Sequence, residues 1–289
     1  MTPSNSAPQN PASQDSTSQW QCLLRHLGAW QGSFTRFSPQ GQVQEDIPSL
    51  VTLAGQDNPP HLCQTIQQFA ADTGALIYEK QLEYSSLNRS TLFFENGAFS
   101  QGSMQFGPFS EFGAELGFIE GDRRLRLVQL FDPKSHLATL TLIREHRQDT
   151  PAAESPPLTV EHLLGEWRGD AVTLYPDWRA PSYYGTSLTI RREGDRLHQR
   201  LTAPQMQLAS TARIEGSTLI FDQGRFPMQV LLLPGGASSN TPLTIPRGYP
   251  FFLEAGWLIT DRLRQRMIRS YDAQGGWSSL TLITEHRIT

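Results

Sequence analysis

The sequence predicts an all-β protein built as two tandem antiparallel β-barrels from an internal duplication, with a disordered N-terminal tail. Three observations predict it. First, residues 140–147 read LTLIREHR and residues 280–287 read LTLITEHR, differing only at Arg144 and Thr284. Second, further blocks repeat in the same order. Leu27-Gly28-Ala29-Trp30-Gln31-Gly32 matches Leu164-Gly165-Glu166-Trp167-Arg168-Gly169, and TLFFENGAF at 91–99 matches TLIFDQGRF at 218–226. Third, these stretches carry the composition and near-two period of strands, bounded by Gly, Asp and Asn. Ordered blocks with drifting offsets indicate a duplication with loop changes, and two copies of so long a period are two similar domains rather than a solenoid.

Residues 1–19, MTPSNSAPQNPASQDSTSQ, are rich in Ser, Pro, Gln and Asn and cannot bury enough surface to order themselves, so they read as the tail. They have neither the basic start nor the apolar centre of a secretory signal. The N-terminal barrel follows over 20–148. In it, Gln21 to Leu27 form a turn or two of helix leading into Gly-x-Trp, Ala75 to Tyr78 are a strand, and Glu95-Asn96-Gly97 turn a hairpin. QDTPAAESPPLTV, with its Pro, Ala and Ser, marks a linker at 149–157. The C-terminal barrel occupies 158–289, with a short helical turn at Val160 to Leu164, a strand at Ser187 to Ile190 and a hairpin turn at Asp222-Gln223-Gly224. About 130 residues suffice for a closed barrel without free edges, and each copy is expected to fold as a unit of its own.

A net charge of −4 gives no overall attraction to phosphate or anionic lipid, so neither nucleic acid nor a membrane is an expected partner. The apolar runs, such as Val230 to Leu233, are far too short for a membrane helix. Two cysteines, Cys22 and Cys63, without a CxxC pair fit a reducing, cytoplasmic setting. No P-loop, GxGxxG, HExxH or GxSxG occurs, so no catalytic residue and no metal site is assigned. His61 and Cys63 share a face of one strand, and a packing role for the thiol outweighs a catalytic pair. Glu45-Asp46 reads as a solvated turn.

The Gly-x-Trp that opens each copy and the Glu-His-Arg that ends it resemble the calycins, the lipocalins and their relatives. That resemblance implies lipocalin-like barrels, each closed at one end by a Trp under an Arg: Trp30 with Arg147, and Trp167 with Arg287, the guanidinium stacked on the indole. A narrower pattern follows: Gly165-Glu166-Trp167-Arg168-Gly169, Glu254-Ala255-Gly256-Trp257, Arg266-Met267-Ile268-Arg269-Ser270-Tyr271-Asp272 and Leu280 to Arg287. It is similar to the DUF3598 family of two-barrel proteins from cyanobacteria and plastids. The resemblance spans about 20–289. It implies a non-enzymatic assembly or interaction factor of a photosynthetic cell, whose protein partner is the catalytic head of the ATP synthase, with no cofactor.

The alternative is a small-molecule barrel. His146 and His286 occupy equivalent places and, by alternation with the leucines, are expected to point into the barrels, where imidazole could bind haem as in nitrobindin-type barrels. The bland reading, a hydrogen-bonded strand-end histidine, carries most of the weight. Bilin is the other tetrapyrrole considered, because bilin lyases are single calycin barrels. The copies differ most at Pro234 to Glu254, an expected extra loop holding Arg247, Tyr249, Phe251 and Phe252. With Trp178, Tyr183 and Tyr184, these form the candidate partner surface or pocket mouth. A lid folded back over the barrel end is the equal alternative.

Overall fold

The computed structural model describes residues 17–107, 109–151, 155–204 and 206–288. Residues 1–16 of the expected tail and 152–154 of the expected linker lie outside the described residues. The last tail residue, Gln19, is helical instead, with Ser18 as its cap. Ser18 Oγ accepts from the Gln21 N–H and the Gln21 side chain accepts from the Ser18 N–H, a capping box that starts α1 (Gln19–Leu23).

Domain one continues with β1 (Gly28–Phe37), β2 (Val43–Gln56), β3 (His61–Phe69), β4 (Leu76–Tyr84), β5 (Thr91–Phe93), β6 (Phe99–Gly102), β7 (Phe112–Glu120), β8 (Arg123–Phe131) and β9 (Leu137–Arg147). They form one antiparallel sheet in the order β4-β3-β2-β1-β9-β8-β7-β6-β5. Its two ends, β4 and β5, do not pair. Glu45 and Asp46 lie inside β2, where strand pairing with Arg36 and Thr35 replaces the expected turn.

Domain two comprises α2 (Val160–Leu163), β10 (Gly165–Leu174), β11 (Ser182–Glu193), β12 (Arg196–Ala203), β13 (Met206–Glu215), β14 (Thr218–Phe221), β15 (Met228–Leu232), β16 (Ala237–Pro242), β17 (Phe251–Thr260), β18 (Leu263–Tyr271) and β19 (Trp277–Arg287). These ten strands close into a barrel. The segment read as an extra loop is therefore mostly structured. It holds a 3-10 turn at Pro234–Gly236, then β16, and it ends in β17. With β16 inserted, domain two has ten strands where domain one has nine, and the nine-stranded sheet stays open along one side.

The leucines of the repeated octapeptide face outward, not inward. Leu140 and Leu142 on β9, and Leu280 and Leu282 on β19, belong to a hydrophobic core shared by both domains, with Phe112, Leu127, Leu253 and Met267. The opposite face of each strand carries Glu145 and Glu285, whose side chains are fully buried inside the domains. Both faces of these strands are buried, so an apolar alternation marks the interdomain face as readily as a barrel interior. This corrects the placement of both histidines. His286 is exposed, and His146 is half-buried in the groove between the domains beside Gln31, Arg123 and Trp257.

The contacts across the interface are reciprocal. The β8–β9 turn pairs with domain two through Leu137 N–H to Leu243 O and Ile245 N–H to Ser135 O, both 2.9 Å. The matching β18–β19 turn pairs with domain one through Phe106 N–H to Gly275 O and Trp277 N–H to Met104 O, both 2.7 Å. Gln129 and Arg269 hold equivalent strand positions and each reaches across. Gln129 Nε2 donates to Ser239 Oγ at 2.7 Å, and Arg269 donates to Ser100 Oγ and to the Gly102 and Ser103 carbonyls at 3.2–3.3 Å. Such reciprocity is that of an isologous, pseudo-twofold interface. The copies keep separate sheets but share one core.

Phe251 is part of this interface, which removes it from the candidate partner surface. Only 4% exposed, it stacks on Tyr271 (centroids 4.8 Å apart, planes 7° apart) and meets Phe106 and Phe112 edge-on. A ring burying this much area gains more against the neighbouring domain than it would at a wet surface.

Candidate functional site

Each domain is stoppered at one end by the same device. Gly28 and Gly165 have φ of +112° and +115°, a left-handed region that favours glycine, and a Cβ on Gly28 would run into the Arg147 guanidinium. The chain then enters β1 or β10 with its Trp fully buried. Trp30 Nε1 donates to His26 O at 2.8 Å and Trp167 Nε1 to Leu163 O at 2.9 Å, satisfying carbonyls that a short helical turn leaves free. Arg147 pairs with Trp30 in the β1–β9 register, its guanidinium 4.4 Å from the ring centroid. Arg287 stands likewise to Trp167, at 4.7 Å. These arginines also donate to Leu27 O and His162 O.

Beneath each stopper lies an ion-pair ladder that the sequence reading missed. The Glu145 carboxylate accepts from Arg124 at 2.6 and 2.8 Å and from Arg126 at 3.0 and 3.1 Å, and Arg126 also reaches Glu115 at 2.9 Å. The copy repeats it. Glu285 accepts from Arg264 at 2.7 Å and Arg266 at 2.9 Å, and Arg266 reaches Glu254 at 3.1 Å. Arg124 and Arg264 also lie over the Trp30 and Trp167 rings, each at 4.6 Å. Burial by itself would raise the Glu145 pKa, but Arg124 and Arg126 hold it down to about 2, and Arg264 and Arg266 lower Glu285 in the same way. Burial lowers Arg124, whereas Glu145 and Glu115 outweigh it at Arg126 and raise that group. Two cations balance two anions in each ladder, so these groups are saturated supports for the stopper rather than free acids or bases. The signal was present as Arg124-Leu125-Arg126 and Arg264-Gln265-Arg266, arginines on one strand face at the same point of both copies. Among the described residues no group of three or more His, Cys, Asp or Glu could hold a metal ion.

The open side of domain one leads into a cavity of about 290 Å3 between β4 and β5. Leu53, Leu62, Tyr84, Leu87, Phe93 and Phe99 line it, with Glu115 and Arg126 on the polar side. His26, another cavity residue without a sequence signal, has Nε2 2.7 Å from Gly97 O and meets Phe93 and Phe99 edge-on. Burial, and then the nearby Arg124 charge, lower its pKa to about 3, so it is neutral and donates to that carbonyl.

The remaining candidates lie on domain two. Trp178 (61% exposed, φ +64°), Tyr183 (70%) and Tyr249 (41%) present their rings to solvent, and the Arg225 guanidinium lies 4.7 Å from the Tyr249 centroid. Tyr184 and Phe252 are half-buried, and the Tyr184 hydroxyl lies 3.3 Å from Thr173 Oγ1. Arg247 is exposed and lies over Phe109 of domain one at 5.6 Å. Cys63 Sγ accepts from Gln81 Nε2 at 3.0 Å.

Residues 16–150 match the family model described as the N-terminal part of DUF3598. Residues 154–288 match the one described as the C-terminal domain of Biogenesis factor required for ATP synthase 1. The crystal structure of a DUF3598-family protein of unknown function from Nostoc punctiforme PCC 73102 is similar at 50% identity and a TM-score of 0.88, covering 94% of this chain and 99% of that one. The chain belongs to the DUF3598 family. Another solved structure, an S-type phycobiliprotein lyase from Guillardia theta, is a distant neighbour of this DUF3598 chain. It has 14% identity and a TM-score of 0.36 over 45% of this chain and 90% of that one. None of the curated proteins matches. Among the described residues no helix is long and apolar enough to cross a membrane.

Proposed function

We propose that this DUF3598 protein is a non-enzymatic assembly factor that binds subunits of the ATP synthase catalytic head during their assembly. One observation carries the reading: the whole second domain, residues 154–288, matches a domain of an ATP synthase biogenesis factor. The chemistry inside the domains is consistent with it, because the charges of the two buried ladders are spent on each other. Trp178, Tyr183 and Tyr249 supply the exposed aromatic anchors that protein interfaces favour. The test is retention of purified head subunits by the tagged full-length chain. Binding that weakens at least about tenfold in the Trp178→Ala/Tyr183→Ala/Tyr249→Ala variant, with unchanged melting, is expected. No retention by the native chain overturns the reading.

A second reading, a small molecule inside domain one, is favoured by the open cavity of about 290 Å3. A shift of the visible absorption band of haem or bilin on mixing with the protein, lost when Phe99 is replaced by Trp to fill the space, would support it.

A further inference from the structure

We propose that the open edge of β4 takes an extended segment of a partner protein as an added antiparallel strand, with apolar side chains entering the cavity of domain one and basic side chains facing Glu79 and Glu83. The inference rests on the reading of the chain as a protein-binding factor and names how, and by what chemistry, a partner is held.

The two ends of the open sheet are not equivalent. On β5 the outward backbone groups of Phe93 are already occupied. Its N–H donates to Gln19 Oε1 at 2.7 Å and its carbonyl accepts from Gln19 Nε2 at 2.8 Å, so one glutamine side chain imitates the peptide of a neighbouring strand. The Thr91 N–H is taken by Asn88 O at 3.0 Å. β4 has no such cover. Among the described residues its strand partner is β3 alone. The duplicate shows that the missing pairing is a favourable one, because Arg213, Ile214 and Glu215 of β13 pair with Ile220, Leu219 and Thr218 of β14 at the equivalent seam.

Natural sheets protect such an edge with proline, with charge or by covering it. β4 reads LIYEKQLEY, without proline and with Lys80 as its one cation, and it exposes Leu76 (51%), Ile77 (57%) and Tyr78 (45%). Nine residues is enough length for a full added strand.

The two faces of β4 specify the occupant. Tyr84 and Leu62, paired across β3 and β4, line the cavity, so alternate side chains of an added strand would point into it. An apolar cavity of about 150 Å3 holds a benzene ring. A space of about 290 Å3 therefore takes one or two large apolar side chains. The other face carries Ile77, Glu79, Gln81 and Glu83, opposite the uncharged Gln67, Thr65 and Cys63 of β3. Among the described residues neither Glu79 nor Glu83 has an ion-pair partner within the chain, although Gln67 Nε2 donates to Glu79 at 2.6 Å. Cross-strand neighbours of opposite charge are favoured, so an incoming Lys or Arg fits here. Residues 1–16 of this chain contain no Lys or Arg and have proline at positions 3, 8 and 11, so they lack both the charge and an unbroken row of N–H donors. A second copy would bring glutamates near glutamates.

The test uses the full-length chain and a capped synthetic nonapeptide, Lys-Val-Lys-Val-Thr-Val-Lys-Val-Lys, with hydrogen exchange read at each β4 amide. About tenfold slower exchange across 76–84, absent with the same peptide N-methylated at alternate residues and lost in Glu79→Lys/Glu83→Lys, is the expected result. Unchanged β4 exchange, or equal protection in the charge-reversed variant, overturns the proposal. Protection that rises with protein concentration in the absence of peptide also overturns it, by making a second copy the occupant. If the peptide protects β4 while head subunits are not retained, the strand-addition site stands and the ATP synthase reading falls. If the subunits are retained and the peptide protects nothing, the reverse holds.

Discussion

Replacing Glu145 by Gln tests the ladder beneath Trp30. The substitution keeps size and hydrogen-bonding capacity but removes the anion from a site where its side chain and that of Arg124 are 0% and 3% exposed. Arg124 is then left without its carboxylate, and Arg126 keeps only Glu115. Breaking one side of a buried pair in this way costs about 3 to 5 kcal/mol. With an unfolding entropy of about 2.1 cal/mol/K per residue over 289 residues, the melting temperature is expected to fall by about 5 to 8 °C. Calorimetry reads this directly. The pH dependence provides a second check. The Glu145 pKa is about 2 in the fold against an ordinary 4.5, so its stabilising contribution is complete above pH 4.5 and lost as pH falls from 4.5 towards 2. The variant should therefore be flatter than the native chain in that acid window. Replacing Arg124, Arg126, Glu145 and Glu115 together by Met, Met, Leu and Gln should cost less than the single change, since the whole ladder is then removed and no buried charge is stranded. A single variant that melts within about 1 °C of the native protein would refute the assignment of stability to this ladder.

Other outcomes follow from the same geometry. His26, with a pKa near 3 in the fold against an ordinary 6.5, stabilises the protein above pH 6.5. That contribution, on the order of 5 kcal/mol, is lost between pH 6.5 and 3, and His26→Gln should show a shallower decline in urea titrations across this range. Arg269→Met removes a fully buried cation that reaches four groups of domain one, leaving their oxygens unpaired, and is expected to cost about 1 to 3 kcal/mol in denaturant unfolding. Phe251→Ala should cost about 3 to 5 kcal/mol, whereas Trp178→Ala should stay within about 0.5 kcal/mol of native, the same two melts separating an interface ring from a surface one.

Much of the architecture was legible because the sequence repeats its landmarks. The two Gly-x-Trp openings, the two Glu-His-Arg endings and the shared hairpin turns all fall on equivalent elements. Which face of β9 and β19 looks inward was not legible, because alternation reports burial and not what does the burying. Leu140 and Leu142 are covered by the other domain, and that neighbour cannot be read from the strand alone. The β16 strand escaped notice because its Ala, Ser, Asn and Pro are poor strand formers, held here by pairing on both sides. The open side of domain one had no local sign either, since it depends on two strands, β4 and β5, that stay unpaired where their counterparts β13 and β14 pair, and on Gln19, which lies far from Phe93 in sequence.

The pseudo-twofold contact between the domains has a consequence for dissection. Cutting the chain within 149–157 would release two fragments that each bare a large oily wall, so neither alone should remain dispersed in water. Produced together, they should recombine without the covalent tether, as two subunits of a dimer would. Split-fragment complementation is thus the natural experiment for this chain, and truncation to a single half the misleading one.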